Sequence, residues 1–202
     1  MRTLVGMKPI AAFLLTALAA QAQDLPITWY DTAGLERGAT DSSILALGRI
    51  FRQSGIQVQV RPGDPRENEA HLVLYTDRRD ACRARRDIAL RIQASAPPGL
   101  PGAQLAQANP FAPGGVNVTA FLDRVETAAF QQNRPVALLL AHVIAHEIGH
   151  VLLRSSEHSR SGVMSSHWNE HEFSRMPIGA LLFSREQARQ MARSLRGEGC
   201  PR

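Results

Sequence analysis

Residues 135–153 read PVALLLAHVIAHEIGHVLL, and this stretch decides the fold that we expect for the chain. Apolar side chains fall on every side of a helix built from it, so we predict a helix that is buried in the protein. Pro135 suits the first turn of such a helix, and Asn133 can cap it. A buried apolar helix that contains three histidines and a glutamate needs an explanation beyond packing.

His146 and His150 enclose the pattern H-E-x-x-H, with Glu147 directly after the first histidine. At about 100° per residue, the two histidines lie roughly 40° apart on one helix face and one turn apart along it. They can therefore bind one metal ion. Glu147 lies beside that face, where a carboxylate can hydrogen-bond a water molecule at a zinc ion without being a ligand. The pattern predicts a zinc site at His146 and His150, with Glu147 beside the ion.

A catalytic zinc ion is held by three protein ligands and keeps one position open. His158, eight residues after His150, is a candidate third ligand. The stretch Ser161-Gly-Val-Met164 follows it, and Trp168 comes soon after. For His158 to reach the metal, the chain must leave the helix and fold back, and the polar residues 154–157 suit such a loop.

These motifs resemble those of the metzincin zinc peptidases, which carry H-E-x-x-H-x-x-G-x-x-H and then a tight turn with a methionine beneath the metal. The resemblance covers residues 135–170 and implies one catalytic Zn²⁺ with three histidine ligands, namely His146, His150 and His158. It also implies that Glu147 is the general base and that Met164 is the methionine of the turn. Similar strings occur in small exported bacterial proteins of uncharacterised function, which this chain also resembles.

The chain departs from the metzincin pattern at two positions. Leu153 stands where the family has its helix-ending glycine, and His158 comes two residues later than the family's third histidine. Because leucine does not readily adopt a left-handed backbone conformation, we expect the helix to end differently here.

Glu170 is an alternative third ligand, because Asn169-Glu170 resembles the pair that thermolysin-like gluzincins use. It would bind the metal if residues 168–174 formed a second helix packed on the first. We favour His158, since the turn that contains Met164 then has a role.

The other histidines have simpler interpretations. We expect His142 to be a buried histidine with a satisfied hydrogen bond. His167 and His171 follow the turn and are expected to line the cleft, whereas His71 begins a strand and is expected to be structural. If neither favoured ligand binds the metal, His142 and His167 are the next candidates.

The first 22 residues have the pattern of a signal peptide. Arg2 and Lys8 precede an apolar run over residues 10–19, and Ala20-Gln-Ala22 is the small-x-small pattern that signal peptidase cleaves. We therefore predict a single mature domain over residues 23–202, either periplasmic or secreted. Outside the N-terminus no stretch of 18 apolar residues occurs, which excludes a polytopic membrane protein.

Export also gives the two cysteines, Cys82 and Cys200, an oxidising environment, so we predict one disulfide between them. Without Arg2 and Lys8 the chain has 21 basic and 18 acidic residues, a net charge of +3 that is spread along it. Only 5% of the 202 residues are aromatic, which argues against nucleic-acid binding. We expect a monomer that binds a peptide or protein substrate and no membrane after cleavage of the leader.

Upstream of the motif the sequence alternates between strand and helix patterns. We predict five strands, over residues 27–30, 56–60, 72–75, 88–92 and 116–122. We also predict a helix from Thr40 or Asp41 to Gln53, with core-facing Ile44, Leu45, Leu47, Ile50 and Phe51. Residues 94–115 contain five prolines and four glycines and suit a surface loop, with an edge strand near Ala103–Gln107.

The expected fold is therefore α+β and zincin-like: a small mixed sheet, a backing helix, the H-E-x-x-H helix, a methionine turn and a C-terminal helix. The expected function is that of an exported zinc-dependent metallopeptidase, in which Glu147 activates a water molecule for attack on a peptide bond. Peptides would pair with the edge strand near Ala103–Gln107. Two alternatives stay open, a gluzincin-type peptidase with Glu170 as third ligand and a non-catalytic, zinc-stabilised binding module.

Overall fold

The computed structural model describes residues 22–64, 88–109 and 116–198. Over these residues the strands are β1 (Gln23–Asp31), β2 (Ile56–Pro62), β3 (Ile88–Gln93), β4 (Ala106–Asn109) and β5 (Val116–Phe121). The helices are α1 (Arg37–Arg52), α2 (Leu122–Gln131), α3 (Val136–Leu153), α4 (Glu170–Arg175) and α5 (Arg185–Leu195). The expected mixed sheet, H-E-x-x-H helix and C-terminal helix are all present.

The five strands form one sheet in the order β2-β1-β3-β5-β4, in which β4 is antiparallel to β5 and the other neighbours are parallel. Parallel neighbours cannot be joined by a tight hairpin, and the chain passes from β1 to β2 through α1. Trp29, Leu90 and Val118 lie in register on one face and are buried in the same core as α1 and α3. The antiparallel strand β4 therefore forms one edge of the sheet.

The strands predicted near residues 27, 56, 88 and 116 are confirmed, and so is the helix that became α1. Two details of that helix were wrong. Thr40 and Asp41 lie inside its first turns, and Glu36 is the N-cap without a side-chain hydrogen bond. Leu45 is 54% exposed while Ser43 is buried. Residues two apart on a helix point about 200° apart, so Leu45 and Leu47 cannot both face the core.

The region around β4 and β5 differs from the expectation in its boundaries. The edge strand exists, but it covers Ala106–Asn109 and not 103–107. The strand predicted to reach Leu122 ends at Phe121, and Leu122 begins α2, a helix that we did not predict.

Helix α3 is the central helix of the core and contacts α1, α2 and α5. Its predicted extent is confirmed, but Pro135 is its N-cap and Asn133, the predicted cap, lies outside it with φ 49°. By length and composition α3 could span a membrane, yet 67% of it is buried inside the domain. A helix buried in the core of a domain can have the same length and composition, and this one contains the H-E-x-x-H motif.

Several predictions concern residues outside the described ranges and stay predictions. They are the signal peptide up to residue 21, His71, the strand at 72–75, Cys82 and Cys200.

Candidate metal centre

Three imidazole rings converge at the C-terminal half of α3. His146 and His150 lie one turn apart on the helix, and His158 comes from the loop that follows it. One ring nitrogen of each histidine lies within 4.8 Å of the other two. The ring centroids are 4.7 to 5.2 Å apart. Among the described residues, this is the cluster of histidine, cysteine and acidic side chains that could hold a metal ion.

Backbone carbonyls orient the two helical histidines. The Nδ1–H of His146 donates to the carbonyl of Val163, and that of His150 to the carbonyl of Ser155, each at 2.8 Å. A carbonyl oxygen can only accept, so the proton is on Nδ1 and the lone pair on Nε2 is free. Such outer partners fix the tautomer and ring orientation of metal-binding histidines.

The two free lone pairs face each other. Nε2 of His146 and Nε2 of His150 are 3.0 Å apart. Burial lowers the pKa of both rings, that of His146 to about 4, so both are neutral near pH 7. Two facing lone pairs repel each other unless a cation lies between them. Tetrahedral zinc with Zn–N distances of 2.0–2.1 Å holds its ligand nitrogens roughly 3.3 Å apart, so the donor set fits this ion.

The loop that brings His158 back begins with an unusual residue at the end of α3. Leu153 stays helical and buried, and Arg154 adopts the left-handed conformation with φ 53°. A glycine at position 153 would take the left-handed conformation and end the helix there. Here Arg154 takes that conformation, so the helix is one residue longer, and the third histidine also comes later in the sequence. The side-chain amide of Gln190 on α5 donates to the carbonyl of Leu153 at 2.9 Å and stabilises this end.

Residues 162–165 form a turn directly against α3. Met164 is buried, and its sulfur occupies the space that a Cβ on Gly149 would need. Gly149 lies between His146 and His150 in the sequence of the helix. The N–H of Ser165 donates to the carbonyl of Gly162 at 3.1 Å, and the N–H of Ser159 to that of Met164 at 2.8 Å. The turn is therefore attached to the loop that carries His158.

We predict that Gly162→Ala destabilises the protein and weakens zinc binding. Gly162 has φ 84°, and a Cβ there would lie 2.7 Å from the carbonyl oxygen of Leu182. The strained backbone and the close contact should together lower the free energy of unfolding by about 1–3 kcal/mol. They should also displace the neighbouring carbonyl of Val163, which orients His146.

The control for this variant is Gly48→Ala in α1, because a Cβ at Gly48 meets nothing within 4 Å. It should leave zinc affinity unchanged and raise stability by up to about 1 kcal/mol. Denaturant unfolding and zinc titration measure both effects. A Gly162→Ala protein as stable as the parent would contradict the strain argument.

Glu147 lies beside the three histidines without being one of their group. Burial raises its pKa to about 7, although a backbone hydrogen bond from Ala108 lowers it in part. Ala108 belongs to β4, so the carboxylate lies between α3 and the edge of the sheet. A carboxylate with a pKa near neutrality can both take up and release a proton.

A cleft of about 810 Å³ runs over this group. Its floor is formed by α3 with His146, Glu147 and His150. One wall is β4 and the loop before it, residues 102–108, and the other is the segment 165–168 with Phe173. The predicted edge strand therefore does border the histidine cluster.

The alternative ligand Glu170 lies elsewhere. The short helix on which that alternative depends does form, with Asn169 as its N-cap, but Glu170 is the exposed first residue of it. It belongs neither to the histidine cluster nor to the lining of the cleft.

The remaining predicted histidines are also placed. His142 is buried, and its Nδ1 hydrogen-bonds the carbonyl of Leu138 at 2.8 Å as expected, while its Nε2 has no hydrogen-bond partner in the described part of the chain. His167 lines the cleft, but His171 is exposed and does not.

Trp168 and two backbone carbonyls are parts of the site that sequence reasoning missed. The indole N–H donates to the carbonyl of Val163 at 3.3 Å, the acceptor that His146 also uses. Its ring lies 5.9 Å from that of His146. The position of Trp168, four residues after Met164, is a sequence signal that could have placed it at the site. The carbonyls of Val163 and Ser155 are backbone groups, so no residue type in the sequence marks them.

No family model matches the sequence, and no curated protein matches it. Solved structures do match. A zinc-dependent peptidase from Methanocorpusculum labreanum (strain Z) has a TM-score of 0.52 at 16% identity, covering 82% of this chain and 99% of that one. Metalloproteinase-II from Bacteroides fragilis has a TM-score of 0.50 at 14% identity, covering 86% of this chain and 53% of that one, so the chain spans about half its length.

Archaemetzincin from Methanopyrus kandleri also matches, with a TM-score of 0.49 at 16% identity, covering 89% of this chain and 99% of that one. The likeness to the first two structures shows that the chain has the fold of zinc-dependent peptidases.

Proposed function

We propose that this protein is an exported zinc-dependent metallopeptidase that hydrolyses peptide bonds. The observation that carries the proposal is the convergence of His146, His150 and His158, with Glu147 beside them, at the floor of a cleft bordered by a sheet edge. The peptidase fold supports it. In this proposal the turn at Met164 is the metzincin-type methionine turn, packed beneath the ligands.

The three histidines would hold one zinc ion through their ring nitrogens. When bound, zinc supplies Lewis acidity that acidifies water and polarises a carbonyl group. Glu147 takes the proton from the attacking water and delivers it to the nitrogen of the leaving amine. The N–H of Ala108 keeps the carboxylate oriented for both transfers.

Strand β4 would bind the substrate backbone. Among the described strands it lies at the edge of the sheet and pairs on one side, with β5. Ala106, Gln107 and Ala108 line the cleft next to Glu147. An extended peptide that adds to this edge would be held by main-chain hydrogen bonds, with its scissile bond above the histidines.

The deciding experiment is a cleavage assay on the mature protein with a quenched-fluorescence peptide library. We expect one zinc ion per chain by elemental analysis, cleavage that a chelator abolishes, and recovery on adding zinc back. Bovine albumin carried through the same steps controls for contaminating proteases. Stoichiometric zinc without cleavage of any peptide would contradict a peptidase and favour the zinc-stabilised binding module.

A further inference from the structure

Arg124 on α2 forms an unusual set of contacts at the rim of the cleft. Its guanidinium donates to the carbonyls of Pro101 at 2.5 Å, Gln104 at 2.8 Å and Leu100 at 3.2 Å. The guanidinium carbon also lies 5.8 Å from the centre of the Phe121 ring. One side chain thus joins the start of α2 to a segment 20 to 24 residues earlier in the chain.

That segment leads directly into β4. Its own backbone bonds are short turns, from the N–H of Leu100 to Pro97 and from the N–H of Gln104 to Pro101. Local turns do not determine where a loop lies relative to the rest of a domain. The Arg124 contacts do, because they connect the loop to a helix that packs against α3.

We propose that Arg124 is a positioning residue for substrate binding: it holds the loop at 100–104 against α2, so that this loop extends the cleft wall that β4 begins. This rests on the proposed function, in which a peptide pairs with β4. Residues 102–108 line the cleft, and Arg124 acts on them through the carbonyls at their N-terminal end. The residues after this loop are held separately: the N–H of Phe121 donates to the carbonyl of Leu105 at 3.0 Å, and Ala106–Asn109 pair with β5.

The guanidinium group suits this role better than an ammonium group. It is planar and offers five N–H donors in a fixed fork, so one side chain can serve several carbonyls at once. The ring of Phe121, whose centre lies 5.8 Å from the guanidinium carbon, adds a cation–π contact to these hydrogen bonds. Lysine has the same charge but concentrates its donors at one atom, so it should not restore the full set of contacts.

The first test is hydrogen exchange on the zinc-loaded protein, in the parent and in Arg124→Gln, Arg124→Lys and Arg189→Gln. Arg189 is an exposed arginine on α5 that pairs with Glu186, so its variant removes the same charge away from the cleft. We expect amides in the peptide 99–108 to exchange roughly tenfold faster in both Arg124 variants. We expect no change in Arg189→Gln. Unchanged exchange in Arg124→Gln would overturn the proposal, whether or not the protein cleaves peptides.

The second test is steady-state kinetics with a neutral peptide and an acidic peptide. We expect KM to rise roughly tenfold for both peptides in the two Arg124 variants, with kcat within about twofold and zinc content unchanged, because only substrate binding is affected. A KM increase confined to the acidic peptide, or full activity in Arg124→Lys, would overturn the proposal in favour of a direct charge contact. If the parent protein cleaves no peptide, the proposed function fails, and the exchange data alone decide whether Arg124 holds the loop.

Discussion

Glu147→Gln is expected to lower kcat/KM by about 10²–10⁴-fold, the range typical of losing a general base. The amide oxygen of glutamine can still accept the N–H of Ala108, so the side chain should keep its place. Glu147 is not one of the three converging residues, so the variant should still bind one zinc ion. The loss should appear mainly in kcat, since only the proton transfer is removed.

The control for this prediction is Glu157→Gln, an exposed glutamate in the loop that carries His158. It should behave like the parent in metal content and turnover. Elemental analysis measures the zinc content and steady-state kinetics measures the turnover of the same samples, so loss of metal and loss of catalysis can be told apart. Full activity in Glu147→Gln would show that another group takes the proton, and loss of zinc would show that Glu147 belongs to the metal site.

The stability of the metal-free protein gives a second readout for Glu147. Burial raises the pKa of this carboxyl to about 7 from an ordinary value of 4.5, so its ionised form is disfavoured in the folded state. The resulting destabilisation is absent below about pH 4.5 and complete above about pH 7. Metal-free Glu147→Gln should therefore be at least as stable as the parent at pH 8, by denaturant unfolding.

The central helix and its motif could be predicted because both depend on local spacing. The 3.6-residue period places His146 and His150 on one face whatever surrounds them, and continuous apolar residues make the helix a buried one. The third histidine could not be derived in this way. Its position depends on how the chain leaves α3, and a left-handed Arg154 has no sequence signal comparable to a glycine.

Helix α2 shows why the other misses occurred. Leu122, Val125 and Ala129 have helical spacing and are all buried, so the pattern was present. Strand β5 passes into the helix without a turn, however, and Phe121 is the N-cap with no side-chain hydrogen bond. Where a helix follows a strand without a capping residue, the sequence pattern of its first turn looks like a continuation of that strand. The same absence of a capping side chain, at Glu36, explains why the start of α1 was wrongly predicted at Thr40 or Asp41.

His158→Ala is expected to weaken zinc binding far more than Glu170→Ala, which separates the metzincin-type from the gluzincin-type site. His158 is exposed on a loop, so removing its ring should leave the metal-free fold intact. Its loss deprives the ion of one of three ligands, which should cost more than the 10–100-fold typical of an outer hydrogen-bond partner. Glu170→Ala should only weaken the start of α4, by about 0.3–1 kcal/mol.

Competition with a chromogenic zinc chelator measures both affinities under one set of conditions, and His171→Ala, an exposed histidine of α4 outside the cluster, is the matched control. It should bind zinc like the parent. A larger loss for Glu170→Ala than for His158→Ala would assign the site to the gluzincin type, although Glu170 lies outside the cluster. Small, equal losses would leave the third position to His167, which lines the cleft, because the ring of His142 is buried and belongs to neither the cluster nor the cleft lining.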